Sequence, residues 1–268
     1  MTRPRLIATD LDGTFLNRSG EVSALNAAAV LRAAALGVPF VVATGRPSRW
    51  LGVLDQLSSA HPQVIVSNGA AVVELASRKV LHEFPLPAQV AVEVADDLRA
   101  AIPGITFGFE TGTGFGCEPD SPSRQRNEPG HHLGSLPELV VSLGTVIKLL
   151  GFHTELASDT LTALAAPIVG DRLTLTHAAT SHPYGMIELT AIGVSKASTL
   201  ALLCAELGIG AAEVVAFGDM PNDLDMLRWA GRGYVVANCH ASLKRAGLHQ
   251  VAANDADGVG VTVLELLG

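Results

Sequence analysis

Along the first third of the chain, short uninterrupted apolar runs alternate with longer stretches whose apolar residues recur at helical spacing. Residues 6–9 form the first such run and predict a buried strand that ends in the turn Asp12-Gly13-Thr14. Ser23 stands where an N-cap is expected. It precedes a helix whose apolar positions include Leu25, Ala29, Val30 and Ala33 and which stops near Gly37. Residues 39–43 (PFVVA) predict a second strand, followed by the turn Thr44-Gly45-Arg46-Pro47. Residues 48–59 predict a helix and 63–66 a third strand. The last third repeats this rhythm, with helix over 196–207, strand over 214–217, helix over 221–230, strand over 233–237 and a terminal helix over 259–267. Apolar strands alternating with helices are the pattern of a parallel sheet covered on both faces. The two outer thirds are therefore expected to form one doubly wound α/β domain.

The middle of the chain breaks the pattern. From about residue 83 to 184 it is richer in Pro and Gly, and its strands (105–110, 146–152 and 173–177) are spaced for antiparallel pairing. Helices are expected around 88–101 and 155–166. This predicts an α+β insertion, residues 83–187, into a domain made of 1–82 and 188–268. Within the insertion, 117–136 reads as a polar loop or a poorly ordered excursion.

Composition narrows the function classes. A chain of 268 residues, 48% apolar and 16% charged, has ample material for a core and is not expected to be disordered. A net charge of −8 without a long run of one sign argues against a nucleic-acid binder, which carries a basic face. An anionic small molecule would then need locally placed cations, because the overall field repels it. Three cysteines (Cys117, Cys204 and Cys239) without C-x-x-C spacing predict neither a disulfide framework nor a zinc site. No segment approaches the roughly 20 apolar residues of a membrane span, and the N-terminus lacks the features of a signal peptide. The expectation is a soluble cytoplasmic protein with no membrane partner.

The strongest chemical signal is Asp10-Leu11-Asp12-Gly13-Thr14. Both acids leave the end of a predicted buried strand, where open α/β sheets place their ligands. With a period near two, Asp10 and Asp12 face one cleft while Leu11 points away. Two such acids cost free energy unless compensated, and a hard cation with oxygen ligands compensates them. Taken alone, the five residues also read as an acidic turn bent by Gly13. At the end of the second strand, Thr44, Gly45 and Arg46 offer a hydroxyl and backbone N–H groups suited to a phosphoryl oxygen. Lys196 stands at a predicted helix start, against the usual dipole preference, which an anion opposite it would explain. After the strand 214–217, Gly218-Asp219-Met220-Pro221-Asn222-Asp223 puts Asp219 at a strand end and Asp223 one helical turn later. These acids are spaced to complete a carboxylate-and-water shell around Mg²⁺. A simple helix cap by Asp219 ahead of Pro221 does not account for Asp223.

In order and spacing these four segments resemble the signature motifs of the haloacid-dehalogenase-like (HAD) phosphohydrolases, over essentially the whole chain. The details are most similar to the Cof-type branch, which carries a large α/β cap between the second and third motifs. Ser67-Asn68-Gly69-Ala70, Asn238, the 244–246 stretch, and Asn254 followed by Asp257-Gly258-Val259 add to the likeness. Cys239 departs from it, since such proteins usually have alanine there. The resemblance implies a Rossmann-like core with an inserted cap, and a Mg²⁺-dependent phosphatase for a small phosphorylated metabolite such as a sugar phosphate or cofactor phosphate. It implies that Asp10 attacks phosphorus and becomes an aspartyl phosphate. Asp12 would protonate the leaving oxygen and then deprotonate the attacking water, while its backbone carbonyl helps to hold the metal. Thr44 and Lys196 would bind the transferring phosphoryl oxygens, with Gly13, Gly45, Arg46, Asn68 and Asn222 around them. Asp219 and Asp223 would hold Mg²⁺ together with Asp10 and Asp12. An acid at position 12 favours phosphoryl transfer over carbon–halogen cleavage, which has no leaving alcohol to protonate.

Two other functions fit the same motifs less completely: a phosphomutase or phosphotransferase, and a non-catalytic, receiver-like phosphate-binding module. Among the nine histidines, the pair His131-His132 is expected to be a solvated loop rather than a metal site. His153, His177 and His182 fall in the insertion, where one of them would be able to face substrate. The stretch 108–116 (GFETGTGFG) lacks the strand–helix context of a dinucleotide loop and predicts a glycine-rich hairpin. Glu110, Phe115 and Glu118, in or beside it, are candidates for substrate contact by location alone.

Overall fold

The computed structural model describes residues 2–124, 130–177 and 184–268. The chain divides into two compact units. The first comprises Met1–Arg46, Trp50–His82 and Lys196–Gly268, and the second Pro47–Arg49 and Glu83–Ser195.

The first unit is built on a sheet of eight strands. Their order is His249–Val251, Arg232–Val236, Val214–Gly218, Leu6–Thr9, Phe40–Ala43, Gln63–Val66, Ala71–Glu74 and Val80–Glu83. The first six pair in parallel, and Gln63–Val66 pairs antiparallel with Ala71–Glu74. Leu6–Thr9, Phe40–Ala43 and Val214–Gly218 are buried at every position, as strands covered on both faces must be. The chain leaves Leu6–Thr9 toward one side of the sheet and later returns on the other. This puts the topological switch between Leu6–Thr9 and Val214–Gly218, where Thr9 is in register with Phe217.

The helix Ala24–Ala35 starts as predicted, with the Ser23 hydroxyl accepting from the Asn26 N–H at 3.0 Å. Buried Asn26 then joins three parts of the unit. Its Nδ2 donates to the Phe15 carbonyl at 2.6 Å, and its Oδ1 accepts from the Gly260 N–H at 2.8 Å in the terminal helix Gly258–Leu267. A Cβ on Gly260 would lie 2.5 Å from that Oδ1, so only glycine lets the two helices approach this closely.

The second unit has a six-stranded sheet in the order Leu173–His177, Gly185–Ala191, Lys148–His153, Thr106–Glu110, Phe115–Cys117 and His131–Leu133. Neighbours pair antiparallel, except that Phe115–Cys117 and His131–Leu133 run parallel. The helices Ala88–Ala101, Leu136–Leu143 and Ser158–Val169 build a core with Phe107, Phe109, Leu149 and Ile187 of the sheet. Phe115, Cys117, Leu150 and Phe152 form a separate cluster. The second unit is thus α+β and the first α/β, as the change of pattern along the chain predicts.

Several sequence expectations need correction. Residues 188–195, expected with the outer thirds, belong to the second unit. The cause is the strand Gly185–Ala191, which is bonded on both sides, to Leu173–His177 and to Lys148–His153. The expected loop 117–136 contains the strand His131–Leu133, held by backbone pairing that polar side chains do not announce; its residues 125–129 lie outside the described residues. The helix expected over 48–59 is a 3₁₀ helix, Ser48–Ala60, interrupted at Trp50. The one over 221–230 begins as a 3₁₀ turn, Pro221–Asp223, and continues as the α-helix Leu224–Trp229.

Residues 108–116 do form a hairpin, closed by the Thr111 N–H donating to the Gly114 carbonyl at 2.9 Å. His153 has a structural task, since its Nδ1 accepts from the N–H groups of Glu155 and Leu156 and its Nε2 lies 3.0 Å from the Pro103 carbonyl oxygen. His177 pairs with Asp159 at 2.7 Å, and Glu118 with Arg99 at 2.6 Å. His182 lies outside the described residues. All three cysteines are buried and free. Among the described residues no helix is long and apolar enough to cross a membrane.

Candidate active site

The segments singled out from the sequence converge at the carboxyl ends of the parallel strands. Asp10 follows Leu6–Thr9 directly, and its N–H donates to the Phe217 carbonyl at 2.9 Å. Asp219 follows Val214–Gly218, Thr44 follows Phe40–Ala43, and Lys196 is the first residue of the helix Lys196–Glu206. Asp10, Asp219, Asp223, Lys196, Thr44 and Asn68 are all buried, although every one of them is polar or charged. Such a concentration is unfavourable unless each group finds a partner.

Lys196 is the hub. Its Nζ donates to Asp10 Oδ1 at 2.5 Å and to Asp223 Oδ1 at 2.8 Å. The other oxygen of Asp223 accepts the N–H groups of Asp219 and Met220, each at 3.0 Å. Asp223 thus closes the turn that carries Asp219 and orients the lysine at the same time. A Cβ on Gly218 would lie 2.5 Å from the Asp223 Cβ, so the strand end must be glycine. The helix-start position of Lys196, unfavourable by dipole, is explained by these two carboxylates.

Asp219 is held from the other side. Thr14 Oγ1 donates to its Oδ1 at 3.0 Å, and its carbonyl accepts the His240 N–H at 2.7 Å. Gly13, with φ of +80°, passes so close that a Cβ there would lie 2.4 Å from Asp219 Oδ2. Asn238 Nδ2 donates to the Gly13 carbonyl at 2.7 Å, and Asn238 Oδ1 accepts the Asn254 N–H at 3.0 Å. Asn254 Nδ2 reaches the Leu16 carbonyl at 2.8 Å. The sequence singled out Asn238 and Asn254 only as part of a resemblance, and Thr14 without a task. Their tasks depend on contacts across more than 200 positions of chain.

The third strand ends in three successive left-handed residues, Ser67, Asn68 and Gly69, with φ of 51°, 57° and 106°. Two of them are not glycine, and strained backbone of this kind persists where surrounding contacts over-determine it. Those contacts are present. The Ser67 N–H donates to the Arg46 carbonyl at 2.9 Å, and the Asn68 N–H to the Thr44 carbonyl at 3.0 Å. Asn222 Nδ2 donates to Asn68 Oδ1 at 3.3 Å. Among the described residues, Ser67 Oγ and Asn222 Oδ1 are buried without a hydrogen-bond partner. Gly45 lies between Thr44 and Arg46 in the turn, where the Arg46 N–H donates to Thr44 Oγ1 at 3.0 Å.

Asp12 stands apart from the cluster. Its side chain is 53% exposed and is gripped by Arg46, with Nε donating to Oδ2 at 2.8 Å and Nη2 to Oδ1 at 2.5 Å.

The charges do not balance within the chain. Asp10, Asp219 and Asp223 offer ligand oxygens within 4.8 Å of one another, the sole such group of His, Cys, Asp or Glu side chains among the described residues. One ammonium, Lys196, faces these three carboxylates. Burial, and then the charge of Asp223, hold the Asp10 carboxyl well above its ordinary range despite Lys196. The same two causes push Asp219 up to about 7. Burial alone would lower the Lys196 pKa, but Asp10 and Asp223 outweigh it and raise the value. A cluster of hard oxygen donors with excess negative charge suits Mg²⁺ by donor chemistry.

This yields a prediction for the metal-free protein. Between the ordinary Asp value of 3.8 and about 7, the folded chain holds a proton on Asp219 that the unfolded chain has lost. Stability therefore falls as pH rises through that window. Asp219→Asn is expected to raise metal-free stability on the alkaline side of the window, by on the order of 2 kcal/mol, and the thermal midpoint with it. The gain should vanish at acid pH, and thermal scans across pH check both parts.

Comparison with known proteins adds to this geometry. The family profile described as haloacid dehalogenase-like hydrolase matches residues 7–263. The chain is 26% identical to the Bacillus subtilis (strain 168) protein named 5-amino-6-(5-phospho-D-ribitylamino)uracil phosphatase YcsE, over 97% of this chain and 94% of that protein. It is 27% identical to the HMP-PP phosphatase of Escherichia coli O8 (strain IAI1), over 90% of this chain and 86% of that one. It also matches the Arabidopsis thaliana protein named Endoribonuclease YBEY, chloroplastic, at 28% identity over 94% of this chain, but spans only 45% of that protein's length. Among solved structures, a haloacid dehalogenase-like hydrolase from B. subtilis superposes with a TM-score of 0.81 at 24% identity, covering 98% of this chain and 99% of that one.

Proposed function

Since this chain belongs to the haloacid dehalogenase-like hydrolase family and is a phosphatase of small phosphorylated metabolites, we propose that it acts through an aspartyl phosphate on Asp10 with Mg²⁺ as cofactor. The observation that carries this reading is the buried Asp10–Lys196–Asp223 arrangement beside Asp219. Asp10 is one of the two acids bonded to Lys196, and the one that directly follows the first parallel strand.

In this reading Asp10 attacks phosphorus and the bond to the leaving oxygen breaks, leaving the phosphoryl group on the Asp10 carboxylate. Asp12 gives its proton to the leaving oxygen, then takes one from the water that cleaves the aspartyl phosphate. Lys196 and the Thr44 hydroxyl stabilise the equatorial phosphoryl oxygens as charge spreads onto them. Asn68, Asn222 and the backbone of Gly13 and Gly45 complete the phosphoryl cradle, and the unpartnered Asn222 Oδ1 and Ser67 Oγ mark it as a polar site built for more than the chain itself. Mg²⁺, when bound, offsets the carboxylate charge and orients the phosphoryl group. Asp10 and Asp219 would hold it with the Asp12 backbone carbonyl. Asp223 completes the acidic cluster, but its oxygens already serve Lys196 and two N–H groups, so its main task is to position them. We also propose that the first unit is the catalytic core and that the second unit selects the leaving group, because the core residues are committed to phosphate and acid–base chemistry.

The test is phosphate release from a panel of sugar and cofactor phosphates. EDTA should stop turnover and Mg²⁺ restore it, and Asp12→Asn should slow release by about 10²–10⁴-fold. Metal-independent turnover, or normal release by Asp12→Asn, would contradict the scheme. Movement of phosphate to a second hydroxyl without release would point to a phosphotransferase instead.

A further inference from the structure

We propose that Arg46 is a positioning residue that acts through Asp12, rather than a ligand of the transferring phosphoryl group. The inference rests on the phosphatase reading above and corrects the expectation that Arg46 belongs with the phosphate contacts. Both Asp12 oxygens are taken by the guanidinium, through Nε at 2.8 Å and Nη2 at 2.5 Å. The remaining terminal nitrogen, Nη1, reaches the Trp50 carbonyl at 3.4 Å. The Arg46 backbone is fixed as well, by Thr44 Oγ1 at 3.0 Å and the Ser67 N–H at 2.9 Å. One short turn thus supplies the Thr44 hydroxyl and the fork that grips Asp12.

The position suits the chemistry. In-line displacement puts the leaving oxygen opposite the attacking carboxylate. Asp10 is buried, whereas the Asp12 side chain is half-exposed, so of the two acids Asp12 is the one open to a leaving group that departs toward solvent. An acid side chain on that exposed side would sample several rotamers, and proton transfer needs one of them. A planar, bidentate fork on the carboxylate removes that freedom, which a point charge cannot do; when Asp12 carries the proton it gives to the leaving oxygen, that oxygen's bond to Arg46 opens and the other bond keeps the orientation. With the Asp12 side chain 53% exposed, solvent screening reduces what the pair contributes to the stability of the fold.

The test compares two probe esters in the presence of Mg²⁺: p-nitrophenyl phosphate, whose phenolate leaves without help, and β-glycerol phosphate, whose alkoxide needs a proton. Arg46→Gln is expected to lower kcat about tenfold more on β-glycerol phosphate than on p-nitrophenyl phosphate, within the span that general acid catalysis supplies. Arg46→Lys should show the same bias, whereas a charge-only role would be rescued by lysine. In an Asp12→Asn background, Arg46→Gln should add almost nothing, because both changes remove one function. Calorimetry with inorganic phosphate gives a readout apart from turnover, and its affinity should be nearly the same with and without Arg46→Gln. Equal losses on both esters, rescue by lysine, additive losses with Asp12→Asn, or a tenfold drop in phosphate affinity would each overturn the proposal alone. An unaltered chain that neither binds phosphate nor cleaves either ester would overturn the phosphatase reading, and this proposal with it.

Discussion

Replacing Asp10 by asparagine is expected to abolish phosphate release, with a loss of about 10⁴-fold or more in kcat, the scale seen when a nucleophile is removed from a hydrolase. The substitution is nearly isosteric, and the amide oxygen still accepts from Lys196, which keeps its second partner, Asp223. It also removes a buried negative charge from a site where burial and Asp223 already disfavour that charge. The metal-free variant should therefore melt at or above the temperature of the parent chain. The pair of measurements separates chemistry from folding, since a dead variant with an unchanged midpoint has lost only the reacting group. Rapid quenching with labelled substrate should trap a phosphorylated parent chain and leave the variant unlabelled. Retained turnover in Asp10→Asn would exclude Asp10 as the nucleophile.

Lys196→Met is expected to cost the most in stability, about 3–5 kcal/mol, because it leaves buried carboxylates without their cation. Methionine fills much of the same volume, so lost packing contributes little. The deficit should depend on pH in a defined direction. Without Lys196, which opposes the upward shift of Asp10, the Asp10 carboxyl resists ionisation in the folded state more strongly, so the native chain holds a proton that the unfolded chain has released. Stability of the variant then falls as pH rises above the ordinary carboxylate range and recovers on acidification. Denaturant titrations at acid and neutral pH would check this. A variant as stable as the parent at neutral pH would mean that Lys196 is not the counter-charge of the cluster. Activity should be lost as well, since the same ammonium faces the phosphoryl oxygens in the proposed reaction.

The core elements were legible because each is marked by local chemistry. Leu6–Thr9, Phe40–Ala43 and Val214–Gly218 are continuous apolar runs, and Ser23 caps its helix as its position predicts. Elements held mainly by backbone pairing were not legible. His131–Leu133 carries two histidines and pairs through its main chain, and His249–Val251 is a three-residue edge strand. The limit of the insertion was misplaced for a related reason. Gly185–Ala191 belongs to whichever sheet offers it partners, and its own residues do not say which sheet that is.

The residue types and order along the chain were sufficient to determine an α/β design with acids, a lysine and a threonine at strand and helix ends, because those signals are local. Tertiary structure alone decided how these groups divide their tasks. Asp223 spends its oxygens on Lys196 and on two N–H groups, Thr14 steadies Asp219, and Asp12 lies in the grip of Arg46 rather than in the acidic cluster. Hydrogen-bond capacity is finite and directional, so which oxygen remains for a ligand depends on neighbours far away in sequence. Asp10 and Asp223 both bond to Lys196. Folding sets Asp10 beside Asp219 at the end of the first strand, and closes Asp223 within its own turn through the N–H groups of Asp219 and Met220.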